Sequence, residues 1–297
     1  YNYSWSNGES TESIQISNDC CDGTTFSVTV TNGPFSDGTC AATDEVLVTS
    51  EDCSVETYTL IPDPNFEQAL IDLGHDDVID GQVLTANISS LTELNVISQN
   101  ISDLTGIEDF TALTQLYCGD NQLISLDVSQ NTALTNLNCY QNQLTSLDVS
   151  QNTALEALYC VGNQLTSLDI SGCNALTDLN CGDNQLTNLD VSQNTALTDL
   201  NCYNNQLTSL DVSQNTALEA LYCVGNQLTS LDVSQNTVLT SFRCNNNQLT
   251  SLDVSQNTTL TQLYCGDNQL TSLDVSQNTS LTDLNCGVNQ LTCLNLK

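Results

Sequence analysis

The sequence predicts a solenoid: a stack of short parallel β-strands, one per turn, with a helix over its first rung and a small antiparallel β module before it. Three observations carry that expectation. From Leu123 to Gln290 the chain is a tandem series of one short unit, each a close copy of LTSLDVSQNTALTDLNCYNNQ. Self-similarity at so short a period marks a stacked repeat, in which each unit buries its apolar face against its neighbours. Cysteine recurs once per unit from Cys118 to Cys286, and asparagine from Asn121 to Asn289, without a break. Residues 1–53 hold no copy of the unit.

That opening segment alternates apolar and polar side chains in three or four runs, among them F-S-V-T-V-T-N-G and A-T-D-E-V-L-V-T. Period-two alternation bounded by Gly, Asn and Asp reads as antiparallel strands. Through Tyr3, Trp5, Ser6, Gly8, Thr29, Val30, Gly33, Asp44 and Val46 the segment resembles the final strands of Ig-like or PKD modules of secreted surface proteins, and a partial module of that kind is expected over 1–53. Cys20, Cys21, Cys40 and Cys53 lie here. In a secreted β module one or two disulfides are expected. Cys20 or Cys21 with Cys40 is the favoured pair, and the sequence leaves the connectivity open.

Residues 54–90 read as an N-terminal cap with one helix. In I-P-D-P-N-F-E-Q-A-L-I-D-L-G, Asp63 suits the N-cap, Pro64 the first helical position and Gly74 the stop. Phe66, Leu70 and Leu73 share a helical face that would cover the first rung. The stretch from His75 to Gly81 ends in D-G, which makes Asp76, Asp77 and Asp80 weak Ca²⁺ candidates. It lacks the alternating acidic spacing and distal glutamate of a calcium loop and reads as a turn.

Residues 91–297 form the solenoid. Leu91, Leu94, Val96, Asn100, Ile101, Leu104 and Ile107 make one irregular turn, and the regular units follow, for about ten turns. Each unit holds L-x-x-L-x-C-x-x-N-x-L, as in Leu113, Leu116, Cys118, Asn121 and Leu123. This is the leucine-rich-repeat signature with cysteine in the third apolar slot. Leu-x-Cys gives a short strand buried on one face, and the asparagine turns the chain, its amide bonding backbone of the next rung. The polar half, L-D-V-S-Q-N-T-A-L, is too short for a helix. A second column (Asn131, Asn152, Asn194, Asn215, Asn236, Asn257, Asn278), interrupted by Cys173, makes the other bend. The fold class is therefore a leucine-rich-repeat solenoid: parallel β-sheet on the concave face, short extended or 3₁₀ turns on the convex face, an N-terminal cap helix and a small antiparallel Ig-like module. With no methionine at position 1 and no cap after Leu291, both ends are expected to lie inside a longer protein.

Composition removes several function classes. The 297 residues carry 36 acids, 2 bases and 1 histidine, a formal charge of −34. Nucleic acid binding needs clustered Lys or Arg, and an anionic membrane surface would repel the chain. No apolar run is long enough to span a membrane. A triad, a Cys-His dyad or a multi-histidine metal site would depend on His75 alone. No pair of acids stands out for glycosidase chemistry, so no enzyme activity, catalytic residue or cofactor is expected. The repeat cysteines read as small buried apolar groups with free thiols, since neighbouring rungs in register place them outside disulfide geometry. The column Asp127, Asp148, Asp169, Asp190, Asp211, Asp232, Asp253 and Asp274 stacks like charges. Bonding to nearby hydroxyls and backbone N–H groups offsets that repulsion, with Ca²⁺ the weaker alternative.

Function is read from what varies. The L-x-S-L-D-V-S-Q-N frame barely changes, while the exposed strand positions do. One column holds Tyr117, Tyr159, Tyr222, Arg243 and Tyr264, the next Tyr140 and Tyr203, the third Asp120, Asp183 and Asp267. Tyrosine gives rigid contact area with a hydroxyl, and together these residues are the candidate ligand-binding face.

The runs P-D-P-N-F-E-Q-A-L-I-D-L-G, N-I-S-D-L-T-G-I-E-D-F-T-A-L-T-Q-L-Y-C and N-Q-L-T-S-L-D-V-S-Q-N-T-A-L resemble secreted leucine-rich-repeat proteins of Bacteroidota, and the wider resemblance is to internalin-like binding solenoids. That resemblance implies export, often by type IX secretion, and a secreted or cell-surface location. It implies no reaction and no fixed ligand. The expectation is a non-enzymatic adhesion module that recognises protein or glycan through the concave face. The alternative is a structural repeat protein, a stalk or a subunit of an extracellular filament, whose partners are copies of itself.

Overall fold

The computed structural model describes residues 2–5, 25–31, 41–47 and 56–296. The disulfide candidates Cys20, Cys21, Cys40 and Cys53 lie outside them. The chain divides into two compact units, Tyr1–Glu56 and Thr57–Lys297. In the first, β1 (Asn2–Trp5), β2 (Thr25–Thr31) and β3 (Ala41–Leu47) form an antiparallel sheet in that order.

The second unit opens with β4 (Tyr58–Leu60), α1 (Pro64–Asp72), β5 (Gln82–Leu84) and a one-turn helix α2 (Thr85–Ile88). The cap thus holds two helices where the sequence suggested one. Asp63 is the N-cap of α1: its Oδ1 accepts the Asn65 and Phe66 N–H groups at 2.9 and 3.2 Å. Its Oδ2 accepts Ser102 N–H, Ser102 Oγ–H and Asp103 N–H at 2.7, 2.7 and 3.0 Å, tying the cap to the first rung. Burial raises the Asp63 pKa, but the hydrogen bonds from Ser102, Asn65 and Phe66 outweigh it and hold the carboxyl below its usual range. The helix stops where Gly74 takes a left-handed φ of 81°, with Gly74 N–H on Ile71 O and His75 N–H on Leu70 O. Phe66 and Leu70 are buried and Phe66 stacks on Phe110 at 6.2 Å. Leu73 does not join them: as the C-cap residue it turns off the buried face and is 46% exposed, while Ala69 packs inward instead.

The solenoid strands are three residues each: β6 (Glu93–Asn95), β7 (Gln115–Tyr117), β8 (Asn136–Asn138), β9 (Ala157–Tyr159), β10 (Asp178–Asn180), β11 (Asp199–Asn201), β12 (Ala220–Tyr222), β13 (Ser241–Arg243), β14 (Gln262–Tyr264), β15 (Ser272–Asp274), β16 (Asp283–Asn285) and β17 (Cys293–Asn295). Strands β6 to β14 and β16 form one ten-stranded parallel sheet in sequence order, and β15 pairs with β17 on another side of the rung. Bridges Asp127↔Asp148 and Asp148↔Asp169 continue that second ladder. Between the sheets run tight turns, such as Asn215 N–H on Val212 O followed by Leu218 N–H on Asn215 O.

Each interior rung buries the same set, for example Leu176, Leu179, Cys181, Leu186, Leu189 and Val191, while in the last rung Leu281, Leu284 and Leu291 are only partly buried. At about 1.5–3 kcal/mol per fully buried aliphatic side chain, this is the largest favourable term per turn. The cysteines from Cys118 to Cys265 are buried free thiols, Cys286 is half-buried and Cys293 exposed. Burial pushes the Cys118, Cys160 and Cys202 thiols up to about 12, which leaves them without thiolate at neutral pH.

The first asparagine column satisfies both ends of its amide. Asn184 Oδ1 accepts Leu165 N–H at 2.9 Å, and its Nδ2 donates to Cys160, Cys181 and Gly182 carbonyls at 3.0–3.2 Å. The bonded neighbour is the preceding rung, not the next one as the sequence suggested. The second column uses half of its amide. Asn215 Nδ2 donates to Val191 O and Asn194 O at 2.9 Å, while Oδ1 accepts no protein hydrogen bond, and this holds for all seven members. Cys173 stands in that column, its thiol directed at the equivalent carbonyls of Val149 and Asn152 at 3.7 and 3.8 Å. The site requires a donor, and Cys173 is a weak one.

Candidate binding face

From β6 to β14 the middle residue of each strand is buried and the flanking two, buried Ala220 apart, are at least partly exposed, so the ten-stranded sheet presents parallel columns. Register aligns the last strand position of each rung: Asn138, Tyr159, Asn180, Asn201, Tyr222, Arg243, Tyr264 and Asn285 run side by side. At about 4.8 Å per strand, neighbouring side chains in a column touch.

The tyrosines of this column are held in different ways. Tyr117 Oη donates to Gln115 Oε1 at 2.7 Å. Tyr159 Oη donates to Asp178 Oδ2 of the next rung at 2.5 Å. Burial, that hydrogen bond and the charges of Asp178 and Asp199 push the Tyr159 phenol up to about 12. Burial also raises the Asp178 carboxyl, with the facing Asp199 adding to it and Tyr159 opposing. Arg243 lies between Tyr222 and Tyr264, its guanidinium carbon 5.0 and 4.9 Å from the two ring centres.

Tyr140 and Tyr203 pack their rings flat over Gly119 and Gly182 of the preceding rung, where a Cβ would collide with the ring. Glycine one rung before tyrosine is thus a packing pair. Burial and a hydrogen bond to Asp183 push the Tyr203 phenol up to about 12. The third column takes left-handed backbone throughout: Asp120, Asp183 and Asp267 have φ of 53°, 48° and 53°, as do Gln141, Asn204, Asn246 and Val288, with Gly162 and Gly225 in the same slot. Aspartate, asparagine and glycine suit that conformation, so backbone geometry accounts for much of the residue choice there. Asp178, Gly119 and Gly182 were not picked from the sequence. Their signals were present: Asp178 follows Tyr159 by nearly one repeat, and Gly119 and Gly182 precede Tyr140 and Tyr203 by one repeat each.

The acidic column on the other ladder is built from turns. Asp211 Oδ1 accepts Ser213 N–H at 2.9 Å, and Asp127, Asp148, Asp169, Asp190, Asp232, Asp253 and Asp274 repeat the bond. Bonds from the serine N–H and hydroxyl hold these carboxyls below their usual range. In the loop after α1, Glu67 Oε1 accepts the N–H groups of Asp80, Gly81 and Gln82 at 2.8, 2.6 and 3.1 Å. Burial raises the Asp76 carboxyl, and the charges of Glu67, Asp77 and Asp80 add to it. Among the described residues no three His, Cys, Asp or Glu side chains converge as a metal site. Nor is any helix among them long and apolar enough to cross a membrane.

Comparison with known proteins fits this geometry. The structure is similar to the functional domain of internalin J from Listeria monocytogenes, a structure described as including a cysteine ladder: 31% identity over 82% of this chain and 71% of that one, with a TM-score of 0.58. It is similar to YopM, a leucine-rich effector protein of Yersinia pestis, at 27% identity over 69% of this chain and 57% of that one, TM-score 0.60. In sequence, 73 residues are 41% identical to internalin J of a Listeria monocytogenes serotype 4b strain, a stretch covering 24% of this chain and 8% of that protein. No family model matches the chain.

Proposed function

We propose that this chain, which belongs to the internalin-like leucine-rich-repeat solenoids with a cysteine ladder, is a non-enzymatic extracellular adhesion module that binds protein or glycan through the exposed face of its ten-stranded sheet. The observation that carries this is the contrast within each repeat. Buried frame and outer turns are copied from unit to unit, while the sheet-face columns change to Tyr, Asn, Asp and Arg. The binding residues are Tyr117, Tyr140, Tyr159, Tyr203, Tyr222, Arg243 and Tyr264, with Asp120, Asp183 and Asp267 at the rim. Secretion to a bacterial surface, by the type IX route in Bacteroidota, accords with the resemblance noted above. No cofactor enters the reading. The test is solid-phase binding of the wild type and a Tyr159→Ala, Tyr222→Ala double variant to panels of extracellular proteins and glycans. Every ligand captured by the wild type should be lost or weakened about tenfold or more in the variant, the scale of two interfacial tyrosines. Unchanged capture refutes the tyrosine face.

A second reading, a stalk or filament subunit, rests on the identity of Asn142–Asp169 with Asn205–Asp232. Electron micrographs showing ordered polymers of the full-length protein would favour it.

A further inference from the structure

Arg243 is the only arginine of the chain, set among 36 acidic residues. A lone cation in such a field would ordinarily pair with a carboxylate. Here it forms no ion pair with any described residue; its protein contacts are Nη2 to Gln262 Oε1 at 3.3 Å and the rings of Tyr222 and Tyr264. Its Nε–H is buried and has no acceptor. A ring stands on each side of the guanidinium and its Nε–H edge is buried, so what stays open is its Nη1–Nη2 end, a fork of N–H donors that can meet a planar two-oxygen acceptor. Tyr117 and Tyr159 spend their hydroxyls on Gln115 and Asp178. Those of Tyr222 and Tyr264 bond no described residue, so they stand free beside the fork.

We infer that Tyr222, Arg243 and Tyr264 form a carboxylate clamp that anchors a protein partner on the sheet face. This rests on the reading of that face as the binding surface. The field around the clamp narrows the occupant. Glu219, Asp199 and Asp178 lie on the three preceding rungs, and a polyanionic glycan would be repelled by them. A protein segment can set one Asp or Glu among Lys and Arg residues, meeting the clamp and the acids together.

The chain's single arginine gives a single Nε–Hε resonance, which reports on the clamp without a known partner. The wild type is titrated with a lysine-rich peptide carrying one glutamate, with its glutamine counterpart, and with sodium glucuronate. The glutamate peptide should shift the resonance saturably, and the glutamine peptide should bind about tenfold more weakly, the size of one charge-assisted hydrogen bond. In Arg243→Lys, which keeps the charge and removes the fork, affinity for the glutamate peptide by calorimetry should fall about tenfold with the melting curve unchanged. Equal binding of both peptides, a shift by glucuronate alone, or no shift at all overturns the clamp. If Arg243→Lys binds the peptide as well as the wild type while Tyr159→Ala does not, the clamp fails and the sheet-face reading stands.

Discussion

Segments 142–169 and 205–232 are letter-for-letter the same. Their buried halves behave alike. Asn163 Nδ2 donates to Cys139 O and Cys160 O at 3.1 and 3.0 Å, and Asn226 Nδ2 to Cys202 O and Cys223 O at 3.0 and 3.2 Å. Their exposed halves differ. Tyr159 meets Asp178 and gives it a hydrogen bond, while Tyr222 meets Arg243 and gives its ring face to the cation. An identical block thus carries two chemistries, because an exposed side chain in a stack is completed by the following rung. The interior is fixed by the unit, and the surface by the junction between units.

Equivalence of the interiors is the strongest claim and carries the largest effect. Asn163→Ala and Asn226→Ala each remove the acceptor for a leucine N–H, of Leu144 and Leu207 respectively, and the donor to two carbonyls in the first case and, in the second, to the equivalent two plus a long bond to Val224 O. With unsatisfied buried groups costing about 1–3 kcal/mol, each variant should lose roughly 2–5 kcal/mol in urea unfolding. The two losses should agree within about 0.5 kcal/mol, as for distant equivalent sites. A difference of twice that would mean the junctions reach into the core.

The second bend should be softer. Asn215→Ala loses two donated bonds but strands no N–H, so about 1–2 kcal/mol is expected. Asn215→Cys should cost less than Asn215→Ala, since Cys173 already fills this slot in another rung. If the alanine and cysteine variants unfold together, the thiol of Cys173 is not acting as a donor.

These contrasts mark what was legible in the sequence. The regular repeat period, the L-x-x-L-x-C-x-x-N frame and the Asp63-Pro64 start of α1 declare the solenoid and its cap, because burial and capping act on the residue where they are written. The direction of the asparagine bonds was not legible, since a repeat looks the same read forward or backward. Nor was the exposure of Leu73, which follows from where the helix turns off at its C-cap. The Tyr159–Asp178 pair and the Arg243 sandwich join side chains that stand a whole repeat, or nearly one, apart along the chain; they become contacts only once register stacks the rungs.

The junctions should also show in single hydroxyl deletions. Tyr159→Phe removes a donor to a carboxylate on a half-buried face and should cost about 1 kcal/mol. Tyr222→Phe removes a hydroxyl that bonds no described residue and should leave stability unchanged.

The smallest effect is the dependence of that pair on alkaline pH. The Tyr159 phenol is raised from its ordinary value near 10 to about 12, first by burial and then by its bond to Asp178. The folded state therefore holds this proton more tightly than the unfolded chain does. Its stabilising contribution is complete below pH 10 and is lost as pH rises toward 12. Tyr203, raised to about 12 by burial and by Asp183, behaves in the same sense. In a phenolate absorbance titration, Tyr159→Phe and Tyr203→Phe should each remove one late-ionising tyrosine, and the stability lost between pH 10 and 12 should shrink in each. Asp178→Asn should move the Tyr159 step toward lower pH without abolishing it, since burial remains the larger cause. If the late steps survive both phenylalanine substitutions, rung-to-rung carboxylates do not govern the surface, and the difference between the two identical blocks lies elsewhere.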